Sequence, residues 1–501
     1  MSNGGRVAPV AGLVVVAAGV LVAASFFAAT TFVGDDHLFL AFARLAPNPL
    51  VAFVRDQHGG EFYRPLPMLV WWLLGRATSL VSPLASWPFA ALALGLHATS
   101  ATLLGGLAVA LGRSRAVAGL AAALFFLAPQ NLDAASWYAA STDLFATAFT
   151  LAALLALARG ASPVLSAVCA LAAFVSKESA LVLPALAYAA LGARAAPEPP
   201  GRRLRAVLPS LGAAALVLLA RAHVLGGWGG PGDERAPLGA KLAQLANGLV
   251  HVGTGAAVLP EVLAWGLGGA ALALLGLAAV RARRPVAWVP LAFTAVALVP
   301  LLGPGWIVGA RYFYLPSVGL AWAAAEALAE RPVAARVTVG AALLFLGALQ
   351  ATARRSEILR YEARLAAARR AVADGARRGA RVFHVDGGIK DIDLAVKEAP
   401  ALAPLAGELL VLGDVPASFV ELPPALAARA AFLVAAPPLP PSGAYTFGDA
   451  RIVGLARRGA DPTLDEVVAR LPDIRLIRLR LTPAGRVVGR DVTEELESPS
   501  D

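Results

Sequence analysis

Two adjacent carboxylates, Asp35 and Asp36, follow a stretch, residues 7–34, that contains no charged side chain. Moving one carboxylate to the centre of a membrane costs roughly 2.5–3.5 kcal/mol, so the pair indicates where the chain leaves the bilayer. A carboxylate at this boundary can deprotonate or orient a hydroxyl group as a general base. Because the two side chains point in different directions, we expect one to do this chemistry while the other supports it. The alternatives are a solvated turn, or an anchor that keeps the first span in register.

Three cations lie in segments that could meet the acidic pair and hold an anionic group. Arg64 stands between aromatic residues and prolines that stiffen the backbone, and a guanidinium fork fits two phosphate oxygens better than an ammonium does. Lys177, with Glu178 beside it, is one of only four lysines, and Arg311 lies close to a long apolar run. The simpler interpretations are snorkelling of Arg64 to lipid headgroups and a structural ion pair for Lys177.

Other residues near these cations could complete a site. Asp143 could add a third acid or pair with one of the cations, whereas Tyr63, Tyr312 and Tyr314 could line the site or belong to an interfacial aromatic belt. A metal ion held by Asp35 or Asp36 with a histidine is conceivable, but the spacing matches no strong metal signature. We therefore predict no cofactor, with a divalent cation as the open alternative. The histidines placed on the same side are His37, His58 and His251.

The composition is that of an integral membrane protein. Of the 501 residues, 58% are apolar and only 15% are charged, against about 25% charged in soluble proteins. Cys169 is the only cysteine, which excludes disulfides and cysteine-based metal sites. The arginines are spread through short loops and a tail with little aromatic interleaving, so a nucleic-acid partner is not expected.

The intervals without charge predict about eleven membrane spans. Several are shorter than the roughly 20 residues that a lone helix needs, which suggests that ionisable groups at their ends face a watery cavity lined by protein. Residues 66–74 are apolar, contain Trp71 and Trp72, and fit a helix lying at the interface. The predicted spans are 7–34, 77–112, 116–132, 144–158, 160–176, 179–193, 206–220, 262–280, 285–310, 312–325 and 337–353.

The arginines predict the orientation of the chain. Connections that carry them alternate with long, aromatic, acid-containing loops at 34–86, 129–143, 226–261 and 303–313. We place the amino terminus in the cytoplasm and everything after about residue 353 outside, in the periplasm of a bacterium. This divides the chain into a multi-span α-helical membrane domain, 1–353, and a small extracytoplasmic α/β domain, 354–501, with a leading helix at 354–379. Its predicted strands are 381–385, 408–412, 431–435, 451–455 and 474–481.

These segments together resemble the GT-C superfamily of polyprenyl-phosphate-sugar-dependent glycosyltransferases. The relatives in question are protein O-mannosyltransferases, lipid A aminoarabinose transferases and the membrane part of the transferases that carry tetratricopeptide repeats. Ser141 stands where an arginine is expected, and tetratricopeptide repeats are not seen after the membrane part. The resembling residues, in chain order, are Gly34-Asp35-Asp36, Tyr63-Arg64-Pro65-Leu66, Trp137 to Asp143, Ser176-Lys177-Glu178 with Pro184, and Arg311 to Pro316 with Gly319.

The resemblance implies a GT-C-like fold, a catalytic acid at Asp35 or Asp36, and a donor-phosphate site built from Arg64, Lys177 and Arg311. The supporting residues are Tyr63, Asp143, Glu178, Tyr312 and Tyr314. The expected partners are a polyprenyl-phosphate-linked sugar donor, a glycan, lipid or protein acceptor, and membrane lipids. Three alternatives stay open: a flippase for a lipid-linked glycan, a ligase that uses a lipid pyrophosphate donor, and a non-catalytic scaffold. Mid-span charges are almost absent, which favours an enzyme over a transport path.

Overall fold

The computed structural model describes most of the chain between residues 48 and 377. Asp35 and the predicted strand 431–435 lie outside the described residues, and side chains are described as far as residue 363. The described ranges are 48–54, 62–79, 86–194, 198–227, 237–252, 259–282, 288–303 and 310–377, with seven strands further on and the single positions Gly19, Phe32, Asp36, Phe39, Leu40 and Ala43.

Helices make up nearly all of the residues that the structure describes between 48 and 377. Short 3₁₀ turns interrupt them at Tyr138–Ala140, Glu178–Val182, Val299–Leu302 and Ala310–Phe313. The helices are α1 Val51–Val54, α2 Pro65–Ser79, α3 Trp87–Ala110, α4 Arg115–Leu127, α5 Pro129–Ser136, α6 Ser141–Ala158, α7 Pro163–Phe174, α8 Leu183–Gly192, α9 Pro200–Leu225, α10 Leu238–His251, α11 Glu261–Ala282, α12 Val289–Leu298, α13 Tyr314–Ala329 and α14 Val333–Arg377.

Among the described residues, five helices are long and apolar enough to cross a membrane, and a bent pair, α4 with α5, would make a sixth. The chain is therefore a helical membrane protein. Three other predicted spans coincide with shorter apolar helices, and the count of eleven stays a prediction. The five long segments are Trp87–Ala110, Tyr138–Ala158, Pro200–Leu225, Glu261–Arg281 and Val333–Arg360; the shorter ones are Pro163–Phe174, Glu178–Gly192 and Val289–Leu302.

Two predicted spans have the wrong boundaries. The predicted span 116–132 bends by 55° after Leu127, because Pro129 cannot continue the hydrogen-bond ladder and instead starts α5. Much of the predicted loop 129–143 is consequently helix. The predicted span 77–112 begins in α2, which ends at Ser79, and its membrane-length helix starts only at Trp87.

Helix α6 is the central element of the bundle. In the segment Tyr138–Ala158, 83% of the most apolar 18-residue stretch is buried inside the protein, against 11–39% in the other four long helices. It packs against α3, α7 and α8, while α13 packs against α4 and α12. Glycines follow the ends of α6 and α9, where Gly160 and Gly226 adopt positive φ angles of 72° and 67°.

An aromatic cluster holds the segment that carries Asp36. The Phe32 ring lies edge-on to Phe89, with centroids 5.3 Å apart, and the Phe39 ring lies edge-on to Trp71 at 5.2 Å. Trp71 in α2 also contacts Phe89 in α3, at 4.5 Å between centroids. Phe32 and Phe39 bracket Asp36 in sequence, so these contacts fix its position against α2 and α3.

A half-buried ion pair lies near the far end of α13. Arg113, just after α3, donates from Nε and Nη2 to both carboxylate oxygens of Glu326, and the Trp322 indole nitrogen donates to Glu326 Oε1 at 3.1 Å. Glu326 lies twelve residues beyond Tyr314, about 18 Å along the helix. The two ends of α13 therefore carry separate polar clusters, and the one at its amino end belongs to the candidate site.

The strands of the carboxy-terminal part form two sheets. The first has the order β2-β1-β6-β7, with β1 parallel to β2 and β6, and β7 antiparallel to β6; the second is antiparallel with the order β3-β5-β4. Four of the predicted strands coincide with β1, β2, β5 and β6, whereas β3, β4 and β7 were not predicted. That these strands form a separate domain stays a prediction. Their bounds are β1 Ala380–Val385, β2 Leu410–Gly413, β3 Val420–Leu422, β4 Ala444–Phe447, β5 Ala450–Val453, β6 Arg475–Leu481 and β7 Val487–Asp491.

The approach of α12 to α13 predicts a strong effect of Gly319→Ala. A Cβ atom at Gly319 would lie 2.3 Å from both the Pro290 carbonyl oxygen and Thr294 Oγ1. Because the carbonyl is backbone, the helices must separate, and we expect a loss of about 1–3 kcal/mol in the free energy of unfolding. Thermal unfolding in detergent measures it. Gly276→Ala is the matched control, since nothing lies within 4 Å of its Cβ position; equal midpoints for the two variants would contradict the prediction.

Candidate functional site

A backbone hydrogen bond brings two of the predicted cations together. The amide of Leu66, at the start of α2, donates to the carbonyl of Val175, which caps α7, at 3.2 Å. Pro65 starts α2 directly after Arg64, and Lys177 follows Val175 by two residues in an extended conformation. The two cations are 113 positions apart in sequence, yet this contact places them side by side.

Arg64 is held by a carboxylate that two arginines share. Its Nη2 donates to Glu178 Oε1 at 2.5 Å and its Nε to Oε2 at 3.2 Å, while Arg221 Nη1 lies 4.0 Å from Oε2. Burial alone would raise the pKa of Glu178, but the charges of Arg64, Lys177 and Arg221 outweigh it and hold that pKa at about 2. Glu178 therefore stays ionised between its two arginine neighbours.

The sequence prediction missed Arg221. It lies in the last turns of α9, with only 9% of its surface exposed. One sequence signal could have found it, because an arginine that ends a charge-free run of membrane helix needs an anionic partner. That partner is Glu178, which was predicted as a supporting residue.

Lys177 forms a buried ion pair with Asp143. Its Nζ donates to Asp143 Oδ2 at 2.6 Å, and the two side chains are only 3% and 6% exposed. Asp143 lies in the first turn of α6, where the helix dipole stabilises its negative charge. Burial lowers the pKa of Lys177 to about 8; Asp143 opposes the shift, and the charges of Arg64 and Arg311 add to it. The ammonium is thus charged at neutral pH and close to losing its proton.

Aromatic rings form the wall around Arg311. Its guanidinium carbon lies 4.0 Å from the centroid of Trp137 and 5.1 Å from that of Tyr312. The Lys177 ammonium lies 4.4 Å from the same Tyr312 ring. The Tyr312 ring therefore joins the two cations and partly compensates for their repulsion.

Asp36 lies against the turn between α5 and α6. It is fully buried, and its Oδ1 accepts the amide hydrogen of Ala139 at 2.5 Å. Ala139 stands between Trp137 and Asp143, both of which contact the cations. The structure thus brings one member of the predicted acidic pair next to the cation cluster.

Tyr63 and Tyr314 make structural contacts beside the cluster. The Tyr63 hydroxyl donates to the Phe53 carbonyl at 3.2 Å, which ties α1 to the residue before Arg64. The Tyr314 hydroxyl lies 2.7 Å from His97 Nδ1, and His97 Nε2 lies 3.0 Å from the Phe126 carbonyl oxygen. Because that carbonyl only accepts, Nε2 carries the proton and Tyr314 donates to Nδ1. Tyr314 thereby fixes the start of α13, three residues after Arg311.

The described residues contain no group of three or more His, Cys, Asp or Glu side chains that could hold a metal ion. Of the histidines considered for a metal site, His37 and His58 lie outside the described part, as does Asp35. His251 ends α10 and is buried. A divalent cation at the acidic pair therefore stays an open prediction.

The cluster is rich in positive charge. Four cations, Arg64, Lys177, Arg221 and Arg311, meet the two carboxylates Asp143 and Glu178 in one place. All are contributed by helix ends or 3₁₀ turns, where the chain changes direction. Such an arrangement can bind an oxyanion and stabilise negative charge that develops on it, because the groups are already oriented and largely shielded from water.

Fold and site together define a multi-span helical membrane protein with a cation-rich cluster formed by helix ends. No protein-family model matches the sequence, and no curated protein does. Among solved structures, the chain is similar to the oligosaccharyltransferase AglB from Archaeoglobus fulgidus, solved in complex with an inhibitory peptide and a dolichol-phosphate. The identity is 14%, the TM-score 0.44, and the match covers 77% of this chain and 63% of that one. The match spans less than two thirds of that enzyme.

The Lys177–Asp143 pair predicts a large loss of stability for Asp143→Asn. This change leaves a buried ammonium without its carboxylate, and we expect the free energy of unfolding to fall by about 3–5 kcal/mol. The control is the double variant Lys177→Met with Asp143→Leu, which removes both charges and should lose less. Thermal unfolding of the three proteins in the same detergent checks this ordering. A double variant less stable than Asp143→Asn would show that the pair does not stabilise the fold in this way.

Proposed function

We propose that this protein is a membrane glycosyltransferase of the GT-C type. It moves a sugar from a polyprenyl-phosphate-linked donor to an acceptor hydroxyl on the outer face of the membrane. The single observation that carries the proposal is the convergence of Arg64, Lys177, Arg221 and Arg311 in one cluster. Residues from four distant parts of the chain meet there, although each alone could serve as an ordinary interfacial cation.

The charge balance of the cluster suits the departure of a lipid phosphate. In the donor, the phosphate is a diester with one negative charge. When the bond to the sugar breaks, the phosphate oxygen takes the bonding electron pair, and the leaving group approaches two negative charges. Cations placed around the phosphate therefore bind the departing phosphate more strongly than the donor, and such a difference lowers the barrier to reaction.

The burial of Asp36 supports different roles for the two adjacent acids. Asp36 is inaccessible and holds the amide of Ala139, so it positions the turn that leads to Asp143. We assign Asp35 as the base that accepts the proton of the acceptor hydroxyl while the oxygen attacks the sugar carbon. Attack opposite the phosphate inverts the configuration at that carbon.

We further propose the type of transferase, its membrane, its orientation and its acceptor. The enzyme is a hexosyltransferase, similar to mannosyltransferases, in a bacterial inner membrane, with its amino terminus in the cytoplasm. The segment 354–501 lies in the periplasm, where it selects the acceptor or docks a partner. The acceptor is a glycan, a lipid or a protein.

Proteoliposomes distinguish this function from transport of a lipid-linked glycan and from ligation of a pyrophosphate-linked glycan. The purified protein is supplied with radiolabelled polyprenyl-phosphate sugar and a mixture of acceptors, and the release of polyprenyl phosphate is measured. Transfer with release supports the proposal. Movement of the donor across the bilayer without bond cleavage indicates a flippase, and transfer only from a pyrophosphate-linked glycan indicates a ligase.

The pKa of Lys177 predicts that kcat/KM decreases at high pH, which gives its pH profile a falling limb. Above pH about 8 the ammonium loses its proton and its attraction for phosphate, so kcat/KM should fall about tenfold per pH unit. Lys177→Arg keeps its charge throughout this range and should shift the limb upward by more than one pH unit. Initial rates between pH 6 and 10 for both proteins test this. Identical profiles would remove Lys177 from the phosphate site.

The two aspartates should differ when each is changed to asparagine. Asp35→Asn removes the base and should lower kcat by about 10²–10⁴-fold. Asp36→Asn keeps an oxygen for the Ala139 amide and should retain much more activity. Rates are compared at equal folded protein, judged by thermal unfolding. Equal losses, or full activity of Asp35→Asn, would contradict the assignment.

A further inference from the structure

Helix α5 connects the candidate site to a second polar cluster. At its carboxy end, Trp137 caps the helix and lies under the Arg311 guanidinium, and two residues later Ala139 binds Asp36. α5 also packs against the 3₁₀ turn that carries Arg311. The position of this short helix therefore sets the position of the aromatic wall and of the acidic segment.

The second cluster joins α5 to the last helix, α14. Arg354 Nε lies 3.8 Å from Asp133 Oδ1, and Arg354 Nη1 donates to Glu357 Oε2 at 3.0 Å. The Gln350 side chain also hydrogen-bonds to Asp133. The Arg354 side chain is only 15% exposed, so its charge is held between the helices rather than in open solvent. Within the described residues, none of these groups takes part in the cluster around Lys177.

We propose that Asp133 and Arg354 are positioning residues, which hold α5 against α14 and thereby place Trp137 and Arg311. This inference rests on the proposed function for its catalytic consequence. Asp133 precedes Trp137 by four residues, one helical turn, so a shift of its carboxylate rotates the end of α5 directly. α14 runs without a break from Val333 to Arg377, and β1 begins at Ala380.

The test compares Asp133→Asn and Arg354→Gln with Arg355→Gln. Arg355 is the neighbouring, exposed arginine on α14, and Arg355→Gln lowers the net charge by the same amount as Arg354→Gln. In the proteoliposome assay we expect the KM for the donor to rise roughly 2- to 30-fold in the first two variants, with a smaller change in kcat. Arg354→Lys, which keeps the charge, should recover part of the loss. The control should match the wild type.

A second measurement reports on position without requiring catalysis. The nine tryptophans are labelled with 5-fluorotryptophan, and Trp137→Phe identifies the fluorine resonance of Trp137. We expect this resonance to move in Asp133→Asn and Arg354→Gln and to stay in place in Arg355→Gln. A resonance at the wild-type position in both test variants overturns the inference. Should Asp133→Asn fail to fold, Arg354→Gln alone decides, and Arg354→Lys should move the resonance less than Arg354→Gln does.

The two readouts separate this inference from the proposed function. If the wild type transfers no sugar but the Trp137 resonance moves as expected, the positioning contact stands and the transferase proposal fails. If transfer occurs and the variants raise the donor KM without moving Trp137, the transferase proposal stands and the positioning contact fails.

Discussion

The candidate site depends on the high free energy of an unpaired charge inside an apolar bundle. Lys177 is 2% exposed and would be costly there without Asp143. Arg64 and Arg221 share Glu178 for the same reason. These contacts join different helices and turns of the bundle, and Arg64 and Glu178 are 114 positions apart in sequence. The bundle therefore cannot assemble fully until the ion pairs form, and the pairs cannot form without the bundle. Folding of the bundle and formation of the site therefore occur together. This explains why several helices are short and end at defined residues.

The site can form because 3₁₀ turns interrupt the helices. Three 3₁₀ turns carry site residues or their supports: Tyr138–Ala140, Glu178–Val182 and Ala310–Phe313. A regular helix uses its backbone amides internally, whereas a turn frees one such amide, at Ala139, for Asp36. Backbone freed in this way is tolerated at membrane depth only where protein or water satisfies it. These turns keep the helices shorter than a full membrane span. They also supply the groups that form the cluster.

The sequence predicted the participants better than it predicted their contacts. Charge-free intervals located most of the helices, because apolar side chains around the whole circumference of a helix are required in lipid. Lys177 was expected to have a partner, but Asp143 and Glu178 were equally plausible, and only the packing of α6 against α7 decides between them. Arg221 was missed because it looked like the end of a span. The bend before Pro129 was overlooked, although proline predicts it. Strands β3, β4 and β7 are too short, or too polar, to stand out by periodicity.

A site whose cations already have carboxylate partners can still bind a phosphate. Glu178 takes one hydrogen each from Nε and Nη2 of Arg64, and a guanidinium has five N–H donors in all. Asp143 takes one of the three donors of Lys177. The carboxylates therefore orient the cations without exhausting them, and they prevent the mutual repulsion of four positive charges from opening the bundle when no anion is bound. An incoming phosphate completes a partly neutralised cluster, so binding requires little rearrangement. Asp143 and Glu178 thus weaken the attraction for phosphate, but they also hold the cations in position before the phosphate arrives.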